Sequence, residues 1–168
     1  ILIIVGLFAA LILFIALGIN EFYDFISAKG ARPHRLLGTL AATAIPLVVW
    51  LGSPFVATSL MTAFLLGVMI VQLRKGEVSE AIASVSETFF GVFYVGWLLG
   101  HAVSVRMIDR QLHVWGVEAD AQLGFFYIVF CLVSAACCDA GAYFVGRRFG
   151  KRRLAPAISP GKTVEGAV

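Results

Sequence analysis

Five long runs of apolar residues, separated by short polar connections, constrain the fold of this chain. They cover residues 1–19, 36–51, 55–73, 81–105 and 123–145. A helix that crosses the hydrocarbon core of a bilayer needs about 20 mostly apolar residues. The runs lack the alternation of a membrane β-barrel, and unpaired backbone groups in lipid favour helices. The sequence therefore predicts an all-α, polytopic bundle of about five transmembrane helices.

The composition agrees with lipid as the solvent. Hydrophobic residues make up 60% of the chain and charged residues only 14%, whereas soluble proteins are about one quarter charged. The first run exceeds the roughly 7–15 apolar residues of a signal peptide core, so we interpret it as a transmembrane helix. The chain starts at Ile1 inside that run and stops at Val168 without a closing signal. We therefore expect a single membrane domain that is part of a longer protein.

Positive charge is distributed unevenly between the two sides of the predicted bundle. All but two of the 13 Lys and Arg residues lie in the connections after the first, third and fifth runs. By the positive-inside rule, these connections face the cytoplasm. The last of them, residues 146–168, is a basic tail. We expect this tail on the cytoplasmic side and the start of the first helix on the other side.

Asp139 is the most informative single residue, because it interrupts the fifth apolar run. A carboxylate at membrane depth costs about 2.5–3.5 kcal/mol on insertion scales. Such a residue usually faces a cavity, a metal ion or a cation, and a structural ion pair inside the bundle is the alternative. Tyr143 lies four residues later on the same helical face. It is placed either to bind a ligand beside Asp139 or to anchor the helix at the membrane interface.

Two groups of tail residues are suited to anions. Ser159, Lys162 and Thr163 combine hydroxyl groups, an ammonium group and nearby backbone N–H groups, which suit phosphate oxygens. The stretch is not a P-loop, because Pro156 occupies the position of the first Gly of that motif. A second group is a cluster of cations, which commonly binds anionic headgroups or sets topology. Its members are Arg147, Arg148, Lys151, Arg152 and Arg153.

The remaining candidate ligands form no recognisable site in the sequence. Cys131, Cys137 and Cys138 share one apolar run without a nearby His, so we interpret them as small packing residues. The three His residues are scattered over different connections and lack metal-ligand spacing. No nucleic-acid-binding motif is present, and we expect no nucleic-acid partner.

The order of residues around and after Asp139 resembles the bacterial CDP-diacylglycerol synthases. The similar positions are 139–146, 149–151, 154, 156, 158–160, 162–163 and 165–166, and a weaker similarity covers 21–23, 29–30 and 33. Two positions depart from that family. Gly161 stands where the family usually has Lys, and Cys138 stands where Thr or Ser often precedes the Asp. The family's strongest signature, with metal-binding carboxylates, would follow residue 168.

The resemblance implies a reaction between CTP and phosphatidic acid. The lipid phosphate attacks the α-phosphorus of CTP, pyrophosphate leaves, and CDP-diacylglycerol forms for phospholipid biosynthesis. Catalysis then consists of positioning and charge neutralisation by Mg²⁺ and basic side chains. The expected setting is the bacterial cytoplasmic membrane, with the active site on the cytoplasmic side. The expected partners are CTP, phosphatidic acid and membrane lipid, and a homodimer is considered.

The resemblance also implies roles for individual residues. Asp139 would organise the metal site or hold a Lys partner. Ser159, Lys162 and Thr163 would contact phosphate. Glu165 would orient Lys162 or approach the metal. Three cations would attract the acidic lipid headgroup, namely Arg147, Arg148 and Lys151.

Two other functions are weighed against this one. A CTP-dependent lipid kinase of the dolichol or phytol type would transfer the γ-phosphoryl group and release CDP instead of pyrophosphate. An ion-coupled transporter would use Asp139 and Glu87 as ion ligands within the membrane. Transporters tend to show internal repeats and paired broken helices, which this sequence lacks. We expect residues 1–168 in isolation to be inactive.

Overall fold

The chain folds as a set of helices with one small sheet. The computed structural model describes residues 2–52, 54–75, 80–156 and 159–167. Residue 1 of the first predicted span and residues 157, 158 and 168 of the predicted basic tail lie outside the described residues. The elements are α1 (Leu2–Ser27), α2 (Arg35–Trp50), α3 (Pro54–Lys75), α4 (Ala81–Gly91), a π-helical segment (Val92–Trp97), α5 (Leu98–Arg106), α6 (Ile108–Val114), α7 (Leu123–Phe149), β1 (Arg153–Ala155), β2 (Ser159–Thr163) and α8 (Val164–Ala167).

Four helices of the described chain are long and apolar enough to cross a membrane. They are Val5–Ser27, Phe55–Lys75, Ala81–Arg106 and Leu123–Phe149. The prediction of a helical, polytopic integral membrane protein is therefore confirmed. The remaining predicted span, residues 36–51, forms α2, which has 16 residues. At 1.5 Å per residue α2 is about 24 Å long, shorter than the roughly 30 Å hydrocarbon core.

Two helices extend at least four residues beyond the apolar runs that predicted them. α1 continues beyond residue 19 to Ser27, and α7 continues beyond residue 145 to Phe149. Backbone hydrogen bonding does not stop at the first polar side chain, so hydropathy alone places these ends too early. After α7 the chain forms an antiparallel hairpin, in which Arg153 pairs with Thr163 and Ala155 with Ser159. The predicted basic tail is thus largely structured.

The core lies where α1, α2 and the continuous helix Ala81–Arg106 meet. Tyr23 of α1 is fully buried, and its hydroxyl group donates to the backbone oxygen of Thr88 at 2.8 Å. Gly38 and Gly91 flank the ring, and a Cβ atom on Gly91 would lie 2.5 Å from Cε1 of Tyr23. A Cβ atom on Gly38 would collide with the Tyr23 hydroxyl group. Small residues therefore allow the close helix approach that drives packing in membranes.

The connection between α1 and α2 is fastened to α4 by polar contacts. The backbone N–H of Arg32 donates to Oε2 of Glu87 at 3.1 Å, and its guanidinium group donates to Glu80 at 2.9 Å. The backbone N–H of His34 donates to Oγ1 of Thr88 at 2.8 Å. Glu87, which the transporter hypothesis used as an ion ligand, thus accepts a backbone hydrogen bond at this end of the bundle.

α7 is the least buried of the four candidate spanning helices. Only 6% of its 18-residue apolar segment, its apolar window, is buried. Its first turn packs closely on the end of α5, because a Cβ atom on Gly124 would lie 2.6 Å from the backbone oxygen of Val105. Its three cysteines are free and exposed. The prediction that they are packing residues is wrong for the described structure, because no described element covers that part of α7.

Candidate functional site

A cleft of about 770 Å³ lies at the carboxyl-terminal end of α7, where this helix meets β2 and α8. Five of the predicted site residues line it. Asp139, Tyr143 and Arg147 come from α7, and Lys162 and Thr163 come from β2. The spacing of four residues places the three α7 side chains on one helical face. The cleft therefore combines residues that the sequence predicted separately for the membrane helix and for the tail.

Glycines allow the hairpin and α8 to pack directly on α7. A Cβ atom on Gly146 would lie 2.8 Å from Oγ1 of Thr163, and one on Gly166 would lie 2.9 Å from Cα of Gly146. A Cβ atom on Gly150 would lie 2.5 Å from Cγ2 of Thr163. This contact holds Thr163 and the following Gly166 against the α7 backbone. The spacing of these glycines is the signal in the sequence that could have predicted the contact.

Arg147 and Lys162 place two cations in the cleft, one on each wall. Nη1 of Arg147 donates a hydrogen bond to the hydroxyl group of Tyr143 at 2.8 Å, and this bond orients the guanidinium group. Lys162 is exposed on β2. The hydroxyl oxygen of Thr163 accepts the backbone N–H of Gly166 at 3.3 Å. The hydroxyl proton of Thr163 is not used in this hydrogen bond, so it can donate to a bound oxyanion.

Asp139 lines the same cleft as these two cations. Its side chain is exposed and lines the cleft. In the part of the chain that the structure describes, Asp139 has no hydrogen bond or ion pair. The structure thus provides no support, within those residues, for the alternative of an ion pair inside the bundle.

Glu165 belongs to α8, which follows the hairpin, and it does not line the cleft. It connects α8 to the residues that follow α7. Its Oε2 accepts the backbone N–H of Lys151 at 3.0 Å, and both of its oxygens accept the backbone N–H of Arg152 at 3.2 Å. Hydrogen bonds from its own backbone N–H and from Lys151 are the main causes that lower the pKa of Glu165 below 4.5. These hydrogen bonds join Glu165 to the backbone of Lys151 and Arg152, and none among the described residues joins it to Lys162. The predicted roles of orienting Lys162 or approaching a metal ion stay predictions.

Three further predicted residues, in addition to Glu165, lie outside the cleft lining. The guanidinium carbon of Arg148 stacks 5.9 Å from the centre of the Phe149 ring. Lys151 contributes its backbone N–H to Glu165. Ser159 pairs with Ala155 in the hairpin. Leu154 and Gly166 line the cleft although the predicted site did not include them.

The described residues offer a partial site for a divalent cation. They contain no group of three or more His, Cys, Asp or Glu side chains that could hold a metal ion. Asp139 is the single carboxylate among the described residues that line the cleft. Mg²⁺ is commonly held by one or two carboxylates together with substrate phosphates and water. Asp139 would therefore hold such an ion only together with substrate phosphates and water, and the described residues form no closed protein cage for it.

The fold and the cleft define a polytopic helical membrane protein with a cleft at one end of a spanning helix, lined by two cations and one carboxylate. The whole chain, residues 1–168, matches the Cytidylyltransferase family, and the chain belongs to that family. The resemblance seen in the sequence is thus confirmed.

Two similar proteins share the name phosphatidate cytidylyltransferase. The phosphatidate cytidylyltransferase of Synechocystis sp. is 30% identical over 177 residues, which cover 95% of this chain and 58% of the relative. The Bacillus subtilis protein of the same name is 40% identical over 73 residues, which cover 44% of this chain and 23% of the relative. The chain therefore spans little more than half of the Synechocystis relative. No solved structure matched the chain.

Proposed function

We propose that the protein is a phosphatidate cytidylyltransferase, which converts CTP and phosphatidic acid into CDP-diacylglycerol and pyrophosphate. One observation carries the proposal: Lys162, Arg147 and Asp139 meet in one cleft at the end of a lipid-exposed spanning helix. The names of the relatives support the same reaction. A lipid phosphate and a nucleotide can both reach such a cleft, the first along the helix and the second from water.

The reaction requires no nucleophile from the protein. A phosphate oxygen of phosphatidic acid forms a bond to the α-phosphorus of CTP, and the bond from that phosphorus to the oxygen bridging to the β-phosphorus breaks. The electron pair leaves with pyrophosphate. Two anions must approach each other, so cations that oppose the repulsion lower the barrier. Lys162 and Arg147, on opposite walls, are placed to do this.

The other cleft residues orient these groups. The Tyr143 hydroxyl group holds the Arg147 guanidinium group, and Thr163 is free to donate its proton to a phosphate oxygen. Asp139 would hold Mg²⁺ together with substrate oxygens, and Mg²⁺, when bound, offsets phosphate charge. Glu165 acts on the site through the backbone of Lys151 and Arg152, so we assign it a positioning role.

We infer that the cleft faces the cytoplasm of a bacterial cell, because the cation-rich connections share its side of the bundle by the positive-inside rule. CTP is available on that side. Exposed side chains on α7, such as Phe130 and Leu132, suit the acyl chains of the lipid substrate. A nucleic-acid partner is not part of the proposal, and a homodimer stays a prediction for chemical cross-linking to test.

The decisive experiment supplies the full-length protein, in detergent–lipid micelles, with phosphatidic acid, radiolabelled CTP and Mg²⁺. We expect a lipid-soluble cytidine product and released pyrophosphate, and we expect both to disappear with EDTA. Release of CDP without a lipid-soluble cytidine product would instead indicate a lipid kinase. Folded protein that forms neither product would refute the proposal and favour the transporter hypothesis.

A further inference from the structure

A second cavity, an open groove, lies at the end of the molecule opposite to the cleft that Lys162 lines. It has a volume of about 510 Å³ and opens between α1 and α2. Its lining is apolar apart from one cation and consists of Val5, Phe8, Ala9, Ile12, Leu47, Trp50 and Arg110. Arg110 belongs to α6, which precedes α7, whereas the cleft lies at the far end of α7. The 27 residues of α7 separate these ends by about 40 Å.

The cation of this groove lies against an aromatic ring and forms no ion pair with the described residues. The guanidinium carbon of Arg110 lies 5.2 Å from the centre of the Trp50 ring, and Phe8 packs on the edge of the same ring at 5.3 Å. Among the described residues, Arg110 has no ion-pair partner. The adjacent Asp109 does not supply one, because its Oδ1 is buried and makes no hydrogen bond there.

We propose that this groove binds one anionic phospholipid from the leaflet opposite to the cleft. An acyl chain would fill the apolar groove between α1 and α2, and the phosphate would accept hydrogen bonds from Arg110. Arg presents a planar set of donors that matches phosphate, and Trp is typical of the membrane interface. This inference does not depend on the proposed function.

Charge and polarity favour a lipid over an extended segment of protein as the occupant. An extended peptide in the groove would place unpaired backbone polar groups against apolar side chains in lipid, where unsatisfied groups are costly. An acyl chain carries no such groups. The single positive charge at the rim matches the single phosphate of an anionic lipid, and it discriminates against zwitterionic lipids, whose choline group would lie near Arg110.

Trp50 provides a probe inside the groove. The experiment uses the full-length protein with Trp97→Phe and Trp115→Phe, so that Trp50 is the single tryptophan of the described chain. The protein is placed in bilayers that contain brominated phosphatidylglycerol or brominated phosphatidylcholine with identical chains. We expect phosphatidylglycerol to bind beside Trp50 about fivefold more strongly, the preference expected for one interfacial Arg. Equal quenching by the two lipids would overturn the proposal.

Three variants assign the preference to Arg110. Arg110→Gln should abolish the fivefold preference and Arg110→Lys should keep part of it. Lys29→Gln is the matched control, because Lys29 lies 4.4 Å from the centre of the Phe25 ring at the other end of the bundle. This control should keep the full preference. A preference that persists in folded Arg110→Gln protein, or that is lost in Lys29→Gln protein, would refute the assignment.

Ala9→Phe tests the groove without changing the cation. The larger side chain would occupy the space between α1 and α2, and we expect it to reduce quenching by both brominated lipids. Unchanged quenching in this variant would contradict an acyl chain in the groove. Because Ala9 is exposed on α1, this variant decides the matter even if Arg110→Gln fails to fold.

Discussion

Two spanning helices of this protein differ in an instructive way. The continuous helix Ala81–Arg106 is the less apolar of the two, and yet 39% of its apolar window is buried, compared with 6% for α7. In a soluble protein the more apolar helix is expected to be inside. In a membrane, lipid covers apolar surface as well as protein does. Hydropathy therefore indicates that a helix crosses the membrane and not that it is buried in the bundle.

The residues at the two surfaces explain the difference. The bundle formed by α1, α2 and Ala81–Arg106 is packed through small and polar residues, such as Gly91, Gly96 and Thr88 around Tyr23 and Ala42. α7 presents large apolar side chains along most of its length, and the close approaches at its glycines, among the described residues, lie near its two ends. We infer that the bundle carries much of the stability and that the end of α7 carries the chemistry.

The largest expected effect separates chemistry from stability at the end of α7. Lys162→Ala removes a cation from the cleft, and we expect turnover to fall by about 10²- to 10³-fold, as for other groups that stabilise developing charge. Because Lys162 is exposed, the thermal unfolding temperature should not change.

Arg153→Gln, which removes a cation of the same hairpin outside the cleft lining, is the matched control and should keep near-normal turnover. Product formation from radiolabelled CTP measures both variants. Wild-type turnover in the Lys162→Ala protein would show that Lys162 has no role in the reaction.

Asp139→Asn should produce the next largest effect. If Asp139 shares Mg²⁺ with the substrate, we expect activity to fall at least about tenfold, the lower end of the effect of changing a group near a metal site. The concentration of Mg²⁺ that gives half-maximal activity should rise as well. A loss of activity with an unchanged Mg²⁺ dependence would argue for a role in holding a cation of the protein instead.

Two glycine substitutions test directly the difference in packing between the bundle and α7. Gly38→Ala places a methyl group against the Tyr23 hydroxyl group, and overpacking of this kind costs about 1–3 kcal/mol. Gly141→Ala in α7 meets no atom within 4 Å and should be neutral or slightly stabilising, because Ala is the better helix former. Unfolding in detergent measures both changes. Equal destabilisation by the two variants would contradict the division between a packed bundle and an open helix.

Glu165 should show the smallest effect, and that effect should depend on pH. The pKa of Glu165 is lowered in the folded chain, chiefly by its own backbone N–H and that of Lys151. A lowered pKa contributes stability that is fully present above the unfolded pKa and is lost as the pH falls through the folded pKa. The hairpin should therefore loosen only in acid, below the ordinary value of 4.5.

Amide hydrogen exchange at Lys151 and Arg152 measures this loosening. In Glu165→Gln protein we expect faster exchange at neutral pH and a weaker acid dependence, with a higher KM for CTP and a less affected kcat. If exchange is unchanged while kcat collapses, Glu165 contacts the reacting groups and is not a positioning residue.

Much of the site follows from local sequence. The spacing of Asp139, Tyr143 and Arg147 alone predicts one helical face, and the hydroxyl and amine groups of residues 159–163 predict phosphate binding. The contacts of Glu165 could not be predicted from local sequence, because its partners lie 13 and 14 residues earlier in the chain. Which backbone N–H groups a carboxylate accepts depends on how the hairpin folds back, and sequence spacing does not specify that.

The sequence by itself determined the solvent, the helical class and the residues available for phosphate chemistry, because continuous apolar runs and side-chain types are local properties. The tertiary structure decided which helix is buried, how Lys162 comes to face Asp139, and that Arg110 stacks on Trp50. Each of these depends on contacts between distant segments, which form only where small residues such as Gly38 and Gly146 allow backbones to approach closely.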